Sequence, residues 1–317
     1  MLDQVFAPML AQLDYRLPSG QQWRYEPKLD GFRGVLWHRS SGQAQLLSRN
    51  TRDLGQWFPE LTRPARALPP DTLIDGEIVI CDEAGWVDFG ALQARLGTAR
   101  NTVFALAQDR PAILVVFDVL RLAGVSWVGE PLAVRRRKLT GLLDHRDPCL
   151  QVVDQTDDLA LAQAWLSLPN VEGVVAKRTD RPYVAGRGRD WVKVKRQRSV
   201  DCVVVGLAGE LATPKLVLAL QHADGRLHHF AVTRPLPAEV AGPVSDVAVE
   251  ASAEQPAIRS RWQHDAVPPW RPVPPRLVCE VRVSNLDAGR WARFPAVLLR
   301  WRIDRCAEDC GLDQLSV

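Results

Sequence analysis

The chain has 317 residues, of which 46% are hydrophobic and 24% charged, and its 40 Lys and Arg residues against 37 Asp and Glu give a net charge of +3. This length allows two domains of ~100–200 residues, and no apolar run approaches the ~20 residues that span a bilayer. The composition therefore excludes a membrane-spanning protein, and the weakly basic balance does not by itself indicate a nucleic-acid partner.

The N-terminus and the cysteines argue against a secreted, zinc-binding or disulfide-bonded protein. Residues 1–12 lack the basic and apolar regions of a secretory signal, so we expect the protein to stay in the cytoplasm. Six cysteines are scattered along the chain, and the closest pair, Cys306 and Cys310, lacks the C-x2-C spacing of a zinc site. This pattern argues against a structural zinc or a disulfide.

The first two thirds of the sequence mix extended apolar runs with helical patterns, which is typical of an α/β or α+β core. Residues 112–120 (AILVVFDVL) predict a strand that is buried on both faces. Residues 132–143 have apolar side chains at helical spacing, and residues 157–168 begin with aspartates that suit the start of a helix.

After Arg198 the pattern changes to short strands. Strands are predicted at residues 200–207, 215–221, 226–232 and 277–283. The proline-rich residues 268–275 (PPWRPVPP) predict an extended connector. We place the domain boundary at the basic stretch that ends at Arg198, and expect an α+β domain at residues 1–198 followed by a β-rich barrel or sheet at residues 199–317.

The strongest local signal for chemistry is the segment Lys28-Leu29-Asp30-Gly31-Phe32-Arg33. A lysine nucleophile must be neutral, yet at pKa ~10.4 only about one lysine in a thousand is neutral near pH ~7.4. A neighbouring cation such as Arg33, or a metal ion, would lower the pKa of Lys28. Gly31 would let the backbone approach a nucleotide, and Asp30 could orient a cation or a ribose hydroxyl. Alone, the segment fits a solvated turn better.

Five further motifs follow it in order. They are Ser48-Arg49-Asn50, Asp75-Gly76-Glu77, Phe117-Asp118, Glu172-Gly173-Val174-Val175-Ala176-Lys177 and Trp191-Val192-Lys193-Val194-Lys195. In order and spacing, these motifs resemble the ligand-site motifs of the covalent nucleotidyltransferase superfamily, which contains ATP-dependent DNA ligases, RNA ligases and mRNA capping enzymes. The resemblance covers almost the whole chain. Within the superfamily, the sequence most resembles short bacterial DNA ligases of the ligase C type. It implies an adenylation domain followed by an OB-fold domain.

The resemblance also implies a role for each motif. Lys28 attacks the α-phosphate of ATP and releases pyrophosphate, with Arg33, Lys193 and Lys195 supporting this step. Glu77 and Glu172 are the implied ligands of Mg²⁺, which Mn²⁺ can replace, and Glu77 is alternatively a ribose contact. The implied nucleotide-binding residues are Glu26, Lys28, Arg33, Arg49, Glu77, Phe117, Lys177, Lys193, Lys195 and Arg302.

The residue types fit these implied roles, although each also has an ordinary structural explanation. The guanidinium groups of Arg33 and Arg49 can place two N–H donors on phosphate oxygens, and carboxylates suit a hard cation. Phe117, the implied adenine contact, would otherwise be a core residue. Lys193 and Lys195 alternate to one face of a strand, where a polyphosphate would neutralise their repulsion.

The end of the chain and three basic stretches complete the prediction. The segment 300–305 (RWRIDR) resembles the last family motif, which is implied to close over ATP and to swing away when DNA binds. Two departures are Arg305 for the common Lys and Thr51 for the common Gly. The basic run at residues 135–138 predicts a solvated helix face, whereas Arg187 with Arg189 and the run at residues 195–198 are candidates for DNA phosphate contacts.

The sequence as a whole predicts an ATP-dependent DNA ligase that seals nicked duplex DNA through a lysyl–AMP intermediate. The resemblance further implies a monomeric bacterial enzyme that acts at the nucleoid during repair, with any protein partners left open. The alternatives are an RNA ligase or a capping guanylyltransferase with the same lysine, and a non-catalytic nucleic-acid-binding protein with a degenerate site. The last predicts a lost motif residue, and none is lost.

Overall fold

The chain forms two compact units, Met1–Lys195 (unit 1) and Arg196–Val317 (unit 2). The computed structural model describes residues 7–143, 147–168, 171–210, 212–252, 269–284, 286–287, 291–292 and 295–315. Both strands and helices occur, so the fold is of the mixed α+β class. None of the described helices combines the length and the hydropathy that crossing a bilayer requires.

Unit 1 contains two sheets. Its strands are β1 (Met9–Asp14), β2 (Trp23–Lys28), β3 (Phe32–His38), β4 (Ala44–Leu47), β5 (Thr72–Val79), β6 (Ile113–Leu122), β7 (Val125–Ser126), β8 (Leu150–Val152), β9 (Gly173–Arg178) and β10 (Gly186–Lys195). One sheet has the order β1-β10-β9-β2, in which β1 and β10 are parallel. The other has the order β4-β3-β5-β6-β7, with β8 parallel to β6.

The helices of unit 1 pack against these sheets. They are α1 (Pro59–Ala65), α2 (Phe89–Arg95), α3 (Arg100–Asp109), α4 (Leu132–Leu143) and α5 (Leu159–Trp165). The carboxylate of Asp158 caps α5 by accepting hydrogen bonds from the backbone N–H groups of Ala160 (2.8 Å) and Leu161 (3.3 Å). The structure confirms the helix predicted at residues 132–143 and the buried strand predicted at residues 112–120. It also confirms the helix predicted at residues 157–168, which is shorter than predicted.

The basic run at residues 135–138 does not form the solvated face that its sequence predicts. Arg135 is fully buried and makes a bidentate salt bridge with buried Asp118 of β6, at 2.7 and 2.8 Å. Arg136 is largely buried, while Arg137 and Lys138 are exposed. The prediction was wrong for the first two residues because their partners, which include Asp118 and Glu26, lie outside the helix and are brought to it by tertiary packing.

Unit 2 is built on one main sheet and also contains a separate two-stranded sheet. Its strands are β11 (Arg198–Ala208), β12 (Lys215–Gln221), β13 (Leu227–Val232), β14 (Trp270–Pro272), β15 (Val278–Val283), β16 (Leu286–Asp287), β17 (Trp291–Ala292) and β18 (Val297–Trp301), and its α-helix is α6 (Gly242–Ala248). The main path has the order β13-β12-β11-β15-β18. Its two edges meet where Thr233 forms a parallel bridge with Ala296, so the sheet closes on itself.

The proline-rich segment is more than the connector that the sequence predicts, although residue 268 lies outside the described residues. Strand β14 pairs with β11, and the Trp270 ring lies against Gly206, where a Cβ atom would come within 2.1 Å of it. Glycine is therefore needed at this position. Pro272 is tolerated because β14 is a short strand that lies off the main path of the sheet.

Candidate active site

A pocket of about 470 Å³ opens in unit 1 and is lined by residues of both sheets. It brings together most of the residues that the sequence predicts for the site. Those that line the pocket are Glu26, Lys28, Arg33, Arg49, Glu77, Phe117, Lys177 and Lys193. Glu172 and Lys195 adjoin it through contacts with Lys28 and with each other, described next.

Strand register places the lysines around one point. Strand β9 lies between β2 and β10, and its Gly173 pairs with Lys28 on one side and with Lys195 on the other. A Cβ atom on Gly173 would lie 2.2 Å from the Val194 carbonyl oxygen, so glycine allows this close approach. The N–H of Glu172 donates to the Lys28 carbonyl oxygen at 2.9 Å, which fixes the start of β9 beside Lys28.

The Glu172 carboxylate links two of these lysines. It forms ion pairs with the Lys28 ammonium and, at 2.6 Å, with the Lys195 ammonium. Burial alone would raise the pKa of Glu172, but the two cations outweigh it and lower this pKa to about 2. Glu172 is thus an anion that holds both lysines in place.

The pKa of Lys28 is raised above its ordinary value. Burial lowers this pKa, but the carboxylates of Glu172, Glu77 and Asp30 together outweigh burial. The expectation that Arg33 lowers the pKa of Lys28 was therefore wrong. The reason is that the Arg33 guanidinium is neutralised by Asp75, whereas anions surround Lys28.

Glu77 lies on β5 opposite Arg33. Burial raises the pKa of Glu77 to about 7, although Lys28 and Arg33 act in the opposite direction. Gly31 is needed here for packing, since its Cβ atom would lie 2.2 Å from the Ile78 carbonyl oxygen. The segment after Lys28 thereby lies directly on β5, and Lys28 and Glu77 both line the pocket.

Arg33 is held by a network of buried groups. Its Nε and Nη2 atoms donate to the two carboxylate oxygens of Asp75, each at 2.5 Å, and Nη2 also donates to the Met9 carbonyl oxygen at 3.1 Å. The Tyr183 hydroxyl donates to Asp75 at 2.5 Å and accepts from the Met9 N–H at 2.9 Å. The Nη1 atom makes no hydrogen bond with the described residues, so it is the group of Arg33 that remains for a ligand.

Phe117 lines the pocket within an aromatic and cationic cluster. The residue is 9% exposed, and its ring packs edge-on against Trp191, with 5.8 Å between the ring centroids. The Lys177 ammonium is 4.0 Å from the Phe117 ring centroid and 4.2 Å from that of Trp191. Lys177 is also paired with the buried Glu26 carboxylate at 2.5 Å. Burial lowers the pKa of Lys177 despite this pair.

The rim of the pocket is basic. Arg49, Arg52 and Arg187 line it and are exposed, and none of the three has an ion-pair partner among the described residues. Burial lowers the pKa of the neighbouring Lys193, as do the positive charges of Lys28 and Lys195. A rim of this charge would attract phosphate groups.

Comparison with known proteins identifies the family. Residues 8–195 match the family model of the ATP-dependent DNA ligase domain. The chain belongs to the ATP-dependent DNA ligase family. DNA ligase C1 of Mycolicibacterium smegmatis is 35% identical to it over 338 aligned residues, which cover 98% of this chain and 93% of that protein.

Two further relatives agree with this ligase assignment. The multifunctional non-homologous end joining protein LigD of Pseudomonas aeruginosa is 33% identical over 206 residues, which are 63% of this chain and 23% of LigD. The crystal structure of the ligase domain of LigD from M. tuberculosis matches with a TM-score of 0.54 and 26% identity. That match covers 96% of this chain and 97% of the LigD domain.

Sequence reasoning about this ligase missed three groups of the site. Asp75 and Tyr183 were not assigned a role, yet they hold Arg33. Asp75 had a signal, because it lies two residues before Glu77 in the same motif. Tyr183 had none, because it is 108 residues from Asp75 in the chain. The third group is Arg136, which approaches Glu26 from α4.

Arg302, predicted to reach the nucleotide, belongs to unit 2. Its guanidinium forms ion pairs with Asp201 at 2.8 Å and with Asp304 at 2.8 Å. Arg305, which replaces the common lysine, lies 3.9 Å from Asp201. The last motif of the ligase is therefore organised by Asp201 on β11.

Proposed function

We propose that this ligase seals nicks in duplex DNA through a lysyl–AMP intermediate on Lys28. The Nζ atom of Lys28 attacks the α-phosphorus of ATP, and a P–N bond forms as the bond to pyrophosphate breaks. The 5′-phosphate at the nick then takes the AMP and releases Lys28, and the 3′-hydroxyl attacks that phosphate and expels AMP. The observation that carries this proposal is Lys28 in a pocket beside Glu172, Lys193 and Lys195.

The surroundings of Lys28 determine how the first step proceeds. Lys28 must lose its proton before it attacks, and the neighbouring carboxylates favour its ammonium form. Lys193 and Lys195 are positioned to offset the negative charge that develops on the α-phosphate. The Nη1 atom of Arg33 has its N–H groups left for the ribose or a phosphate.

Glu77 and Glu172 fit a divalent cation. Mg²⁺ commonly binds through one or two carboxylates together with substrate phosphates and waters, so a pair of carboxylates beside the nucleophile suits it. No group of three or more His, Cys, Asp or Glu side chains in the described part of the chain is arranged to hold a metal by itself. Bound there, Mg²⁺ or Mn²⁺ would supply charge neutralisation at the phosphates.

Unit 2 has the strand connectivity that supports an OB-fold. Strands β11, β12 and β13 are neighbours in chain order, and β15 pairs with β11. Strand β18 pairs with β15, and the bridge between Thr233 and Ala296 connects its start to the end of β13. An OB-fold is a five-stranded, partly open barrel that binds nucleic acids. We accordingly assign the adenylation domain to residues 1–198 and the OB-fold domain to residues 199–317, with Arg302 contributing to nucleotide closure.

The basic rim is assigned to the phosphates of the nick. Arg187 lines the pocket and is near enough to Lys193 to lower the pKa of that lysine, whereas Arg189, also exposed on β10, does not line it. We expect Arg187→Ala to slow the sealing of nicked DNA at least tenfold and to change lysine adenylation less. Arg189→Ala is the matched control, and an equal effect of both variants would refute this assignment.

The experiment that tests the function is sealing of a nicked duplex with ATP and Mg²⁺. We expect the wild-type protein to join the strands and Lys28→Ala to join none. A singly nicked RNA duplex serves as the competing substrate, and preferential sealing of RNA would contradict the DNA ligase proposal. We propose that the ligase acts as a monomer in DNA repair; the repair role is supported by its similarity to the non-homologous end joining protein LigD.

A further inference from the structure

Arg136 occupies a different position from the other cations of its run on α4. Arg135 is directed into the core and Arg137 is exposed, whereas the side chain of Arg136 is 16% exposed. Its Nη2 atom donates a hydrogen bond to the Val153 carbonyl oxygen. Its Nη1 atom lies 3.7 Å from the Glu26 Oε1 atom. Arg136 therefore contacts two residues that line the nucleotide pocket.

The segment from Val153 to Thr156 joins the two sheets of unit 1. The Val153 N–H donates to the Val116 carbonyl oxygen at 2.9 Å, which attaches this end to β6. At the other end, Thr156 exchanges two backbone hydrogen bonds with Tyr25 of β2, at 2.8 and 3.0 Å. Both walls of the pocket meet along this segment, so its position sets their separation.

The Glu26 carboxylate of β2 also lines the pocket, next to this segment. Its Oε2 atom is paired with Lys177, and its Oε1 atom accepts a hydrogen bond from the Gln155 side chain at 3.0 Å. Arg136 adds a second buried cation next to this carboxylate, and its Nη1 atom has no hydrogen-bond partner among the described residues. A buried carboxylate requires such compensation, because a charge removed from water is strongly destabilised unless it is paired.

We infer that Arg136 is a positioning residue for nucleotide binding, acting through Glu26 and the Val153 carbonyl. This inference rests on the proposed function, since it takes the pocket as the ATP site. Without Arg136, the Val153 carbonyl oxygen loses its side-chain donor and the Glu26 carboxylate loses one of its two neighbouring cations. Lys28 lies two residues beyond Glu26 on β2, about 7 Å along the strand, so the chemistry at Lys28 should change little.

The test compares Arg136→Met with Arg137→Met, an exposed neighbour on the same helix. In ATP–pyrophosphate exchange, in which lysine adenylation runs forward and back and so turns over, we expect Arg136→Met to raise the KM for ATP about tenfold and to leave kcat within about twofold. Arg137→Met should leave both constants unchanged. A loss of kcat with an unchanged KM, or equal effects of the two variants, would overturn the inference.

Equilibrium binding separates this inference from the proposed function. Calorimetry with ATP in a Lys28→Ala background measures the Kd without turnover, and we expect Arg136→Met to raise it about tenfold. If wild-type protein binds ATP but forms no lysyl–AMP, the proposed function fails while the Kd comparison still stands. If Arg136→Met does not fold, the same binding measurement is made with Arg136→Lys. Its ammonium group can reach only one of the two acceptors, the Val153 carbonyl oxygen or the Glu26 carboxylate. We expect a Kd about threefold above the wild-type value, and a wild-type Kd would overturn the inference.

Discussion

The buried ion pair of Arg135 and Asp118 permits a quantitative prediction. Both side chains are 0% exposed, and the guanidinium also donates to the carbonyl oxygens of Glu130 (2.5 Å) and Arg181 (3.3 Å). Arg135→Met leaves a buried carboxylate without its cation and two carbonyl oxygens without this donor. Removing one partner of a buried pair typically costs about 3–5 kcal/mol, so we expect the free energy of unfolding of unit 1 to fall by about that amount.

The predicted loss depends on pH. Burial raises the pKa of Asp118 even with Arg135 beside it, and without Arg135 it should rise further. A carboxyl group whose pKa is raised by folding stabilises the fold most at a pH below its unfolded pKa of ~3.9, and this stabilisation is lost as the pH rises through the folded pKa. The destabilisation by Arg135→Met should therefore be larger at neutral pH than at mildly acidic pH.

Urea unfolding of the full chain measures this loss. The transition of unit 1 is followed separately, because two units need not unfold in one step. At about 2–4 °C per kcal/mol, the melting temperature of unit 1 should fall by roughly 6–20 °C. Arg137→Met is the control and should stay within about 0.5 kcal/mol. The double variant Arg135→Met/Asp118→Leu should regain part of the loss. A loss below about 1 kcal/mol, or one that is independent of pH, would refute the reasoning.

Three further substitutions test the site and its supports. Tyr183→Phe removes the hydroxyl that donates to Asp75, so we expect the free energy of unfolding to fall by about 1–3 kcal/mol and lysine adenylation to slow. Wild-type values of both quantities would contradict a role of Tyr183 in holding Asp75 and Arg33. Thr51 has a φ of 64°, a strained value for a β-branched residue, so Thr51→Gly should stabilise unit 1 by about 1 kcal/mol in a thermal melt, and a destabilisation would contradict it. Gly173→Ala should cost about 2–3 kcal/mol and reduce adenylation, whereas Gly188→Ala, in open space, is the control expected to change neither.

The site could be predicted where the chemistry lies within short segments. Lys28, Glu172 and Lys193 are predicted together because each belongs to a motif whose residue types suit phosphate chemistry, and the structure places the three near one another. The long apolar run at residues 112–120 predicted its buried strand for the same reason, since its signal is local.

The parts that could not be predicted depend on partners that are distant in the sequence. Helical spacing on α4 does not reveal that Arg135 meets Asp118, because the pairing is set by how the helix crosses β6. The pKa of Lys28 was expected to be lowered by Arg33, but Asp75 neutralises Arg33 and three carboxylates surround Lys28. Electrostatic effects of this kind follow from tertiary contacts and not from neighbours in the chain.

In the proposed reaction, Lys28 carries the AMP. Incubation of freshly purified protein with α-³²P-labelled ATP and Mg²⁺, followed by peptide mapping, identifies the residue that is labelled. We predict one labelled peptide, linked through a P–N bond at Lys28, and no label on Lys28→Ala; Arg137→Met, a surface variant, should label like the wild-type protein. Label on another lysine, or equal labelling of Lys28→Ala, would contradict the account.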